Sequence, residues 1–120
     1  MVKLIHQLIA EQTGGSVGIR DEALLDSAIK SINQTFGGKD LYPTKEEKGA
    51  RLGFALVSNH AFIDGNKRMG MHIMMLFLET NGIYLDYTQQ ELASLGWGVA
   101  DGKIGYEQIV EWIKKHKRNR

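Results

Sequence analysis

The sequence predicts an all-α chain, and three observations carry that expectation. Apolar residues recur at three- and four-residue spacing along most of its length. Two Thr-x-x-Glu patterns, Thr44 with Glu47 and Thr88 with Glu91, have the form of capping boxes at helix starts. The stretch from Met69 to Leu78 is apolar almost all round, as a helix at the centre of a bundle must be. The chain has 120 residues, which suits a single domain over 1–120 able to bury about two-thirds of its potential surface. It has no cysteine, so neither disulfides nor thiolate metal sites hold it. The formal net charge of +1 points to no polyanionic partner in bulk. The N-terminal residues lack the pattern of a signal peptide, and no apolar run reaches about 18 residues, so the expected location is the cytoplasm, with no membrane span.

Six helices are expected, in a compact bundle around a central buried one. Leu4, Ile5, Leu8 and Ile9 mark one face of a first helix over Val2 to Gln12, ended by Thr13-Gly14-Gly15-Ser16, with His6 beside the stripe in a structural place. Ser16 to Arg20 alternates loosely, as a loop or a short N-terminal hairpin does. Asp21 is an N-cap candidate for a helix with Leu24, Leu25, Ala28, Ile29 and Ile32 on one face. Gln34 to Tyr42 reads as a glycine-containing loop with Phe36 and Leu41 packed inward. Thr44 opens a long helix from about Lys45 to Ala61, whose wide stripe of Ala50, Leu52, Phe54, Ala55, Leu56, Val57 and Ala61 predicts near-complete burial. Gly49 and Gly53 lower its propensity by roughly 1 kcal/mol each, but their spacing permits close helix packing. A helix from about Asn66 to Glu79 ends at Asn81-Gly82, its methionines serving as soft core packing and His72 as a hydrogen-bonded core histidine or, alternatively, a group that shapes the anion pocket. Thr88 opens a helix to about Leu95 or Trp97, weakened at its far end by Gly96 and Gly98. The last helix runs from about Tyr106 to His116 on Ile109, Val110 and Ile113, and the basic tail from Lys114 to Arg120 complements its dipole and frays.

The chemistry is concentrated in residues 60 to 70, between two apolar runs. Asp64, Gly65 and Asn66 form a turn signal. Gly65, Asn66, Lys67 and Arg68 then fall at the first turn of a helix, whose free backbone N–H groups make a natural anion site. Gly65 leaves room for close approach, Lys67 and Arg68 add positive charge, and the guanidinium fork of Arg68 suits a phosphate. Asp64 is a hard oxygen ligand placed for Mg²⁺ beside phosphates, and His60 is a candidate base for an attacking hydroxyl. Phe62 turns inward to fix the loop.

His60, Phe62, Asp64, Gly65, Asn66, Lys67 and Arg68 together resemble the active-site motif of the Fic/Doc superfamily, closest to the Doc ("death on curing") toxins of toxin–antitoxin pairs. The segments Gly18-Ile19-Arg20-Asp21, Thr35-Phe36-Gly37-Gly38 and Leu41-Tyr42-Pro43-Thr44 extend the resemblance over roughly residues 6 to 85. It implies nucleotide-dependent modification of a protein hydroxyl, with ATP and Mg²⁺ as cofactors. Doc toxins move the terminal phosphoryl group of ATP to a threonine of elongation factor Tu and arrest translation, whereas most Fic proteins transfer AMP. The roles implied are His60 as base, Asp64 as Mg²⁺ ligand, Gly65 and Asn66 as anion hole, and Lys67 and Arg68 as phosphate clamp. Gly18, Ile19 and Arg20 would dock the target backbone as an added strand.

Two departures from the AMP-transferring motif favour phosphorylation: Lys67 replaces its second glycine and Met71 its second arginine. Gly65 points the other way, since Doc toxins commonly carry alanine there. The inhibitory Ser/Thr-x-x-x-Glu-Gly/Asn pattern of many Fic proteins does not occur, so the resemblance implies a cognate antitoxin that folds on binding, through which alone DNA would be contacted. The rival readings are an inactive module that only binds protein or nucleotide, and a DNA-binding helical domain resting on the basic tail.

Overall fold

A computed structural model of the chain describes residues 22–59 and 69–118. Among these, five helices and one small hairpin follow in the order α1 (Glu22–Ser31), β1 (Thr35–Phe36), β2 (Lys39–Asp40), α2 (Lys45–Ser58), α3 (Met69–Thr80), α4 (Gln89–Ala100) and α5 (Tyr106–His116). The first of the six expected helices, Val2 to Gln12, lies outside the described residues, as do the Ser16–Arg20 segment and Asp21.

The expected loop over Gln34–Tyr42 contains a two-stranded antiparallel sheet, so the described fold is mostly rather than wholly helical. Thr35 pairs with Asp40 and Phe36 with Lys39. Gly37 and Gly38 take φ of 60° and 82° in the two-residue turn, the left-handed pair that a tight hairpin needs and that glycine adopts without strain. Phe36 and Leu41, expected inward, are 80% and 47% exposed. Among the described residues no element covers Phe36 and Leu41.

α2 and α3 are antiparallel and form the centre of the bundle. Thr44 caps α2 in a full capping box: its Oγ1 accepts from Glu47 N at 3.1 Å, and its own N–H donates to Glu47 Oε1 at 3.3 Å. Glycines let the two helices approach. A methyl group at Gly49 would meet Leu78 Cδ2 at 2.6 Å, at Gly53 Met74 Sδ at 2.7 Å, and at Gly70 Val57 Cγ2 at 2.8 Å. Ala50, Leu52, Leu56, Val57, Met71, Ile73, Met74, Met75, Phe77 and Leu78 are all buried along this seam. The methionines are core packing, as expected, but His72 is exposed and not a core histidine. It sits on the one strip of α3 that faces outward, between the buried Met71 and Ile73.

The second capping box is formed as expected, Thr88 N donating to Glu91 Oε1 at 2.8 Å and Glu91 N to Thr88 Oγ1 at 3.0 Å. α4 continues to Ala100, past Gly96 and Gly98. Both glycines lie in tight contacts, Gly96 against Met71 and Gly98 against Ile104, so packing outweighs their low propensity. α5 has the expected bounds. The tail does not fray as far as it is described. Leu85 and Lys117 form an antiparallel bridge, with Asp86 N donating to His116 O and Arg118 N to Tyr84 O, each at 2.8 Å. Lys117 Nζ reaches Glu46 Oε2 at 2.7 Å and Arg118 Nε reaches Asp86 Oδ1 at 3.0 Å. These cations, expected in a fraying tail, therefore tie α5 to α2 and to the strand-like segment after α3. No helix among the described residues is long and apolar enough to cross a membrane.

Candidate active site

The candidate residues of the motif fall in the sequence between the described ends of the two central helices. His60, Asp64, Gly65, Asn66, Lys67 and Arg68 lie outside the described residues, and so do Phe62 and the docking residues Gly18, Ile19 and Arg20. The frame that carries the motif is described on both sides.

On the near side α2 ends at Ser58, and Asn59 is its C-cap. Asn59 N–H donates to Ala55 O at 3.0 Å, and its side-chain amide donates to Leu24 O of α1 at 2.8 Å. The residue before His60 is therefore anchored to two helices. On the far side α3 starts at Met69, the residue after Arg68. Its first turn lies directly on the last turn of α2, since a Cβ at Gly70 would stand 3.1 Å from Leu56 Cβ and 3.3 Å from Val57 N. Residues 57 and 70, which flank the motif, thus touch. Backbone packed this closely fixes Val57 and Gly70 relative to each other on either side of the segment.

Met71 is fully buried. It is pinned between the two glycines of neighbouring helices, its Cε 3.0 Å from a Cβ at Gly53 and its Cγ 3.1 Å from one at Gly96. Position 71 is therefore core, and a guanidinium placed there would have to be buried among apolar groups. Through Met71, α4 reaches the end of the bundle that holds the motif. Among the described residues no group of three or more His, Asp or Glu is arranged to hold a metal ion. Asp64, the candidate ligand, is not among them.

Sequence reasoning missed a second polar cluster, around Arg51. Arg51 Nε donates to Ser31 Oγ at 3.3 Å, and the guanidinium lies 5.6 Å from the Tyr42 ring centre and 5.8 Å from that of Phe54. Ser31 is itself buried and donates to Ala28 O at 2.6 Å, which accounts for a serine in the last turn of α1. Tyr42 meets Tyr106 edge-to-face at 5.2 Å between ring centres. The Tyr106 hydroxyl is buried with no hydrogen-bond partner among the described residues, and desolvation, aided by the Glu47 charge, pushes its pKa up to about 12. No spacing signal marks this cluster, because Tyr42, Arg51 and Tyr106 come from three different elements.

The family model of the Fic/DOC family matches residues 1–78, which include every candidate residue. The chain is 42% identical over 72 residues to "Toxin Doc" of Mycolicibacterium smegmatis, a match covering 60% of this chain and 55% of that protein, so it spans little more than half of that relative. It is 25% identical over 111 residues to "Protein kinase doc" of Escherichia phage P1, covering 92% of this chain and 86% of that one. With a family match over most of its length, and with the motif on the connection between its two central helices, the chain belongs to the Fic/DOC family.

Proposed function

We propose that this chain is a Doc-type toxin that transfers the terminal phosphoryl group of ATP to a Ser/Thr hydroxyl of a protein of the translation machinery, elongation factor Tu by family resemblance. The reading is supported by the intact His60-to-Arg68 motif in the sequence between α2 and α3, two helices in van der Waals contact at Val57 and Gly70. Relatives named as a toxin and as a protein kinase support it.

In this reading His60 takes the proton from the target hydroxyl as the oxygen attacks the terminal phosphorus. The bond from that phosphorus to the bridging oxygen breaks, and ADP leaves with the electron pair. Catalysis is then mostly positioning and charge stabilisation. Gly65 and Asn66 offer backbone N–H groups, Asn66 also its amide, and Lys67 and Arg68 hold phosphate oxygens. Asp64 supplies the hard carboxylate oxygen that Mg²⁺ prefers, and the ion would neutralise phosphate charge there. Gly18, Ile19 and Arg20 align the target backbone. An antitoxin that folds onto the toxin restrains it, and any contact with DNA runs through that antitoxin.

Met71 supports phosphoryl transfer over AMP transfer, because it stands where the AMP-transferring motif has the arginine that holds a distal phosphate. Gly65 favours the second reading, adenylylation, since it is the residue of the AMP-transferring motif. Mass spectrometry of a threonine-containing target incubated with the protein, ATP and Mg²⁺ separates the two. A phosphoryl adduct is expected, lost in His60→Ala. An adenylyl adduct would establish the second reading, and no adduct would leave a protein-binding module.

A further inference from the structure

Two asparagines close the two central helices, and they bond differently. Asn81, at the end of α3, donates its side-chain amide to Phe77 O at 2.8 Å, within its own helix. Asn59, at the end of α2, donates its amide to Leu24 O, also at 2.8 Å, but across 35 residues of sequence to another helix. A carbonyl oxygen has two lone pairs, so Leu24 can accept this bond and still serve α1. The same two helices are tied again toward their other ends, Arg51 Nε donating to Ser31 Oγ at 3.3 Å and Lys48 Nζ to Ile32 O at 3.2 Å. Asn59 holds the pair together at the motif end.

The two ends of this bond matter for the proposed reaction. Asn59 is followed directly by His60, the proposed base. Across a planar peptide the two Cα atoms lie about 3.8 Å apart, so whatever fixes Asn59 fixes the point from which His60 starts. Leu24 is the third residue of α1 and stands four positions after Arg20, in the segment proposed to align the target. The bond thus joins the helix into which that segment leads to the residue that precedes the base. A base must come within hydrogen-bond reach of the proton it takes, and a misplacement of about 1 Å can cost about a hundredfold in rate.

We infer that Asn59 is a positioning residue for the transfer. Its amide, bonded to the Leu24 carbonyl, holds the backbone of His60 in register with the segment that presents the target hydroxyl. It acts through His60 and not on the substrate itself. The inference rests on the reaction proposed above, and its test separates the two.

The test compares the parent with Asn59→Ala, with Asn59→Asp, which keeps the shape but removes the donor, and with Asn81→Ala. The last loses a bond of the same kind and length at the far end of α3, so it is the structural control. Adduct formation on purified elongation factor Tu with ATP and Mg²⁺ is followed by mass spectrometry, at a temperature where circular dichroism shows every variant folded. Both Asn59 variants should lower kcat about tenfold or more with the KM for ATP unchanged, and Asn81→Ala should lose stability and keep kcat. Parent-like kcat in the Asn59 variants, or an equal loss in Asn81→Ala, would overturn the inference. A second readout needs no turnover: the His60 imidazole proton line in the NMR spectrum, assigned by its loss in His60→Ala. That line should broaden or split in Asn59→Ala and stay as in the parent in Asn81→Ala. No adduct from the parent would overturn the proposed reaction, whereas a sharp, single His60 line in Asn59→Ala would overturn the role of Asn59 by itself.

Discussion

Gly70→Ala tests the contact that frames the motif. The added methyl would stand 2.8 Å from Val57 Cγ2, 3.1 Å from Leu56 Cβ and 3.3 Å from the backbone nitrogen of Val57. Rotation of the Val57 side chain relieves only the first of these. The other two involve atoms fixed by the α2 backbone, so the helices must separate. Overpacking of this kind costs about 1–3 kcal/mol, and alanine returns about 1 kcal/mol in helix propensity. The net expectation is a loss of up to about 2 kcal/mol, or up to roughly 8 °C in melting temperature for a chain of this length. Gly49→Ala is the control. Its closest contacts are Leu78 Cδ2 at 2.6 Å and Cγ at 3.0 Å, and it lies at the other end of the seam, away from the motif. Urea unfolding gives the stability change, and product formation gives the effect on the site. Gly70→Ala should lower activity under conditions where it remains fully folded, whereas Gly49→Ala should affect stability alone. A Gly70→Ala protein as stable as the parent and equally active would refute the close contact and the positioning argued from it.

The carboxylates that hold the tail set an acid limit. Glu46 is lowered below the usual glutamate range chiefly by its hydrogen bond from Lys117, and Glu91 chiefly by the Thr88 N–H, then by His116. A lowered folded-state value contributes stability that is present above the ordinary value and lost as pH falls through the folded one. Thermal melts should therefore decline below about pH 4.5, the ordinary glutamate value, and Glu46→Gln and Glu91→Gln should each flatten that decline. At the alkaline end the raised value of Tyr106 contributes stability that is complete below pH 10, the ordinary tyrosine value, and is lost as pH rises toward about 12. Tyr106→Phe removes a buried hydroxyl that has no partner among the described residues, so it should leave stability unchanged or raise it by up to about 1 kcal/mol in urea unfolding. Truncation before Lys117 should lower the melting temperature by a few degrees through loss of the Leu85 bridge and the Glu46 ion pair.

The features that the sequence made legible are those set by local periodicity and side-chain caps. α5 was readable to the residue because its stripe of Ile109, Val110 and Ile113 is narrow and bounded by Gly105 and a basic last turn. Thr44 and Thr88 opened their helices as the spacing of Glu47 and Glu91 required. The misreadings came from terms that local spacing does not contain. Gly96 and Gly98 stay helical because Met71 and Ile104 occupy the space beside them. Phe36 and Leu41 were assigned inward on hydrophobicity alone, while the Gly37-Gly38 dipeptide, a hairpin signal, went unused. Fraying was expected of the tail because its partners, Glu46 and Asp86, are distant in sequence. The motif itself was legible as a pattern of residue types on one connection, and the structure adds the contact of Val57 and Gly70 on either side of it.

The central claim is that a phosphate chain is seated where the motif enters α3, with His60 facing the hydroxyl to be modified. A crystal structure of the protein with a non-hydrolysable ATP analogue and Mg²⁺ tests it most directly. The account predicts the terminal phosphate on the N–H groups of Gly65 and Asn66, clamped by Lys67 and Arg68, with Asp64 on the ion and the phosphorus in line with His60. A nucleotide bound elsewhere, or side chains of His60 and Asp64 that do not share one cleft, would contradict it.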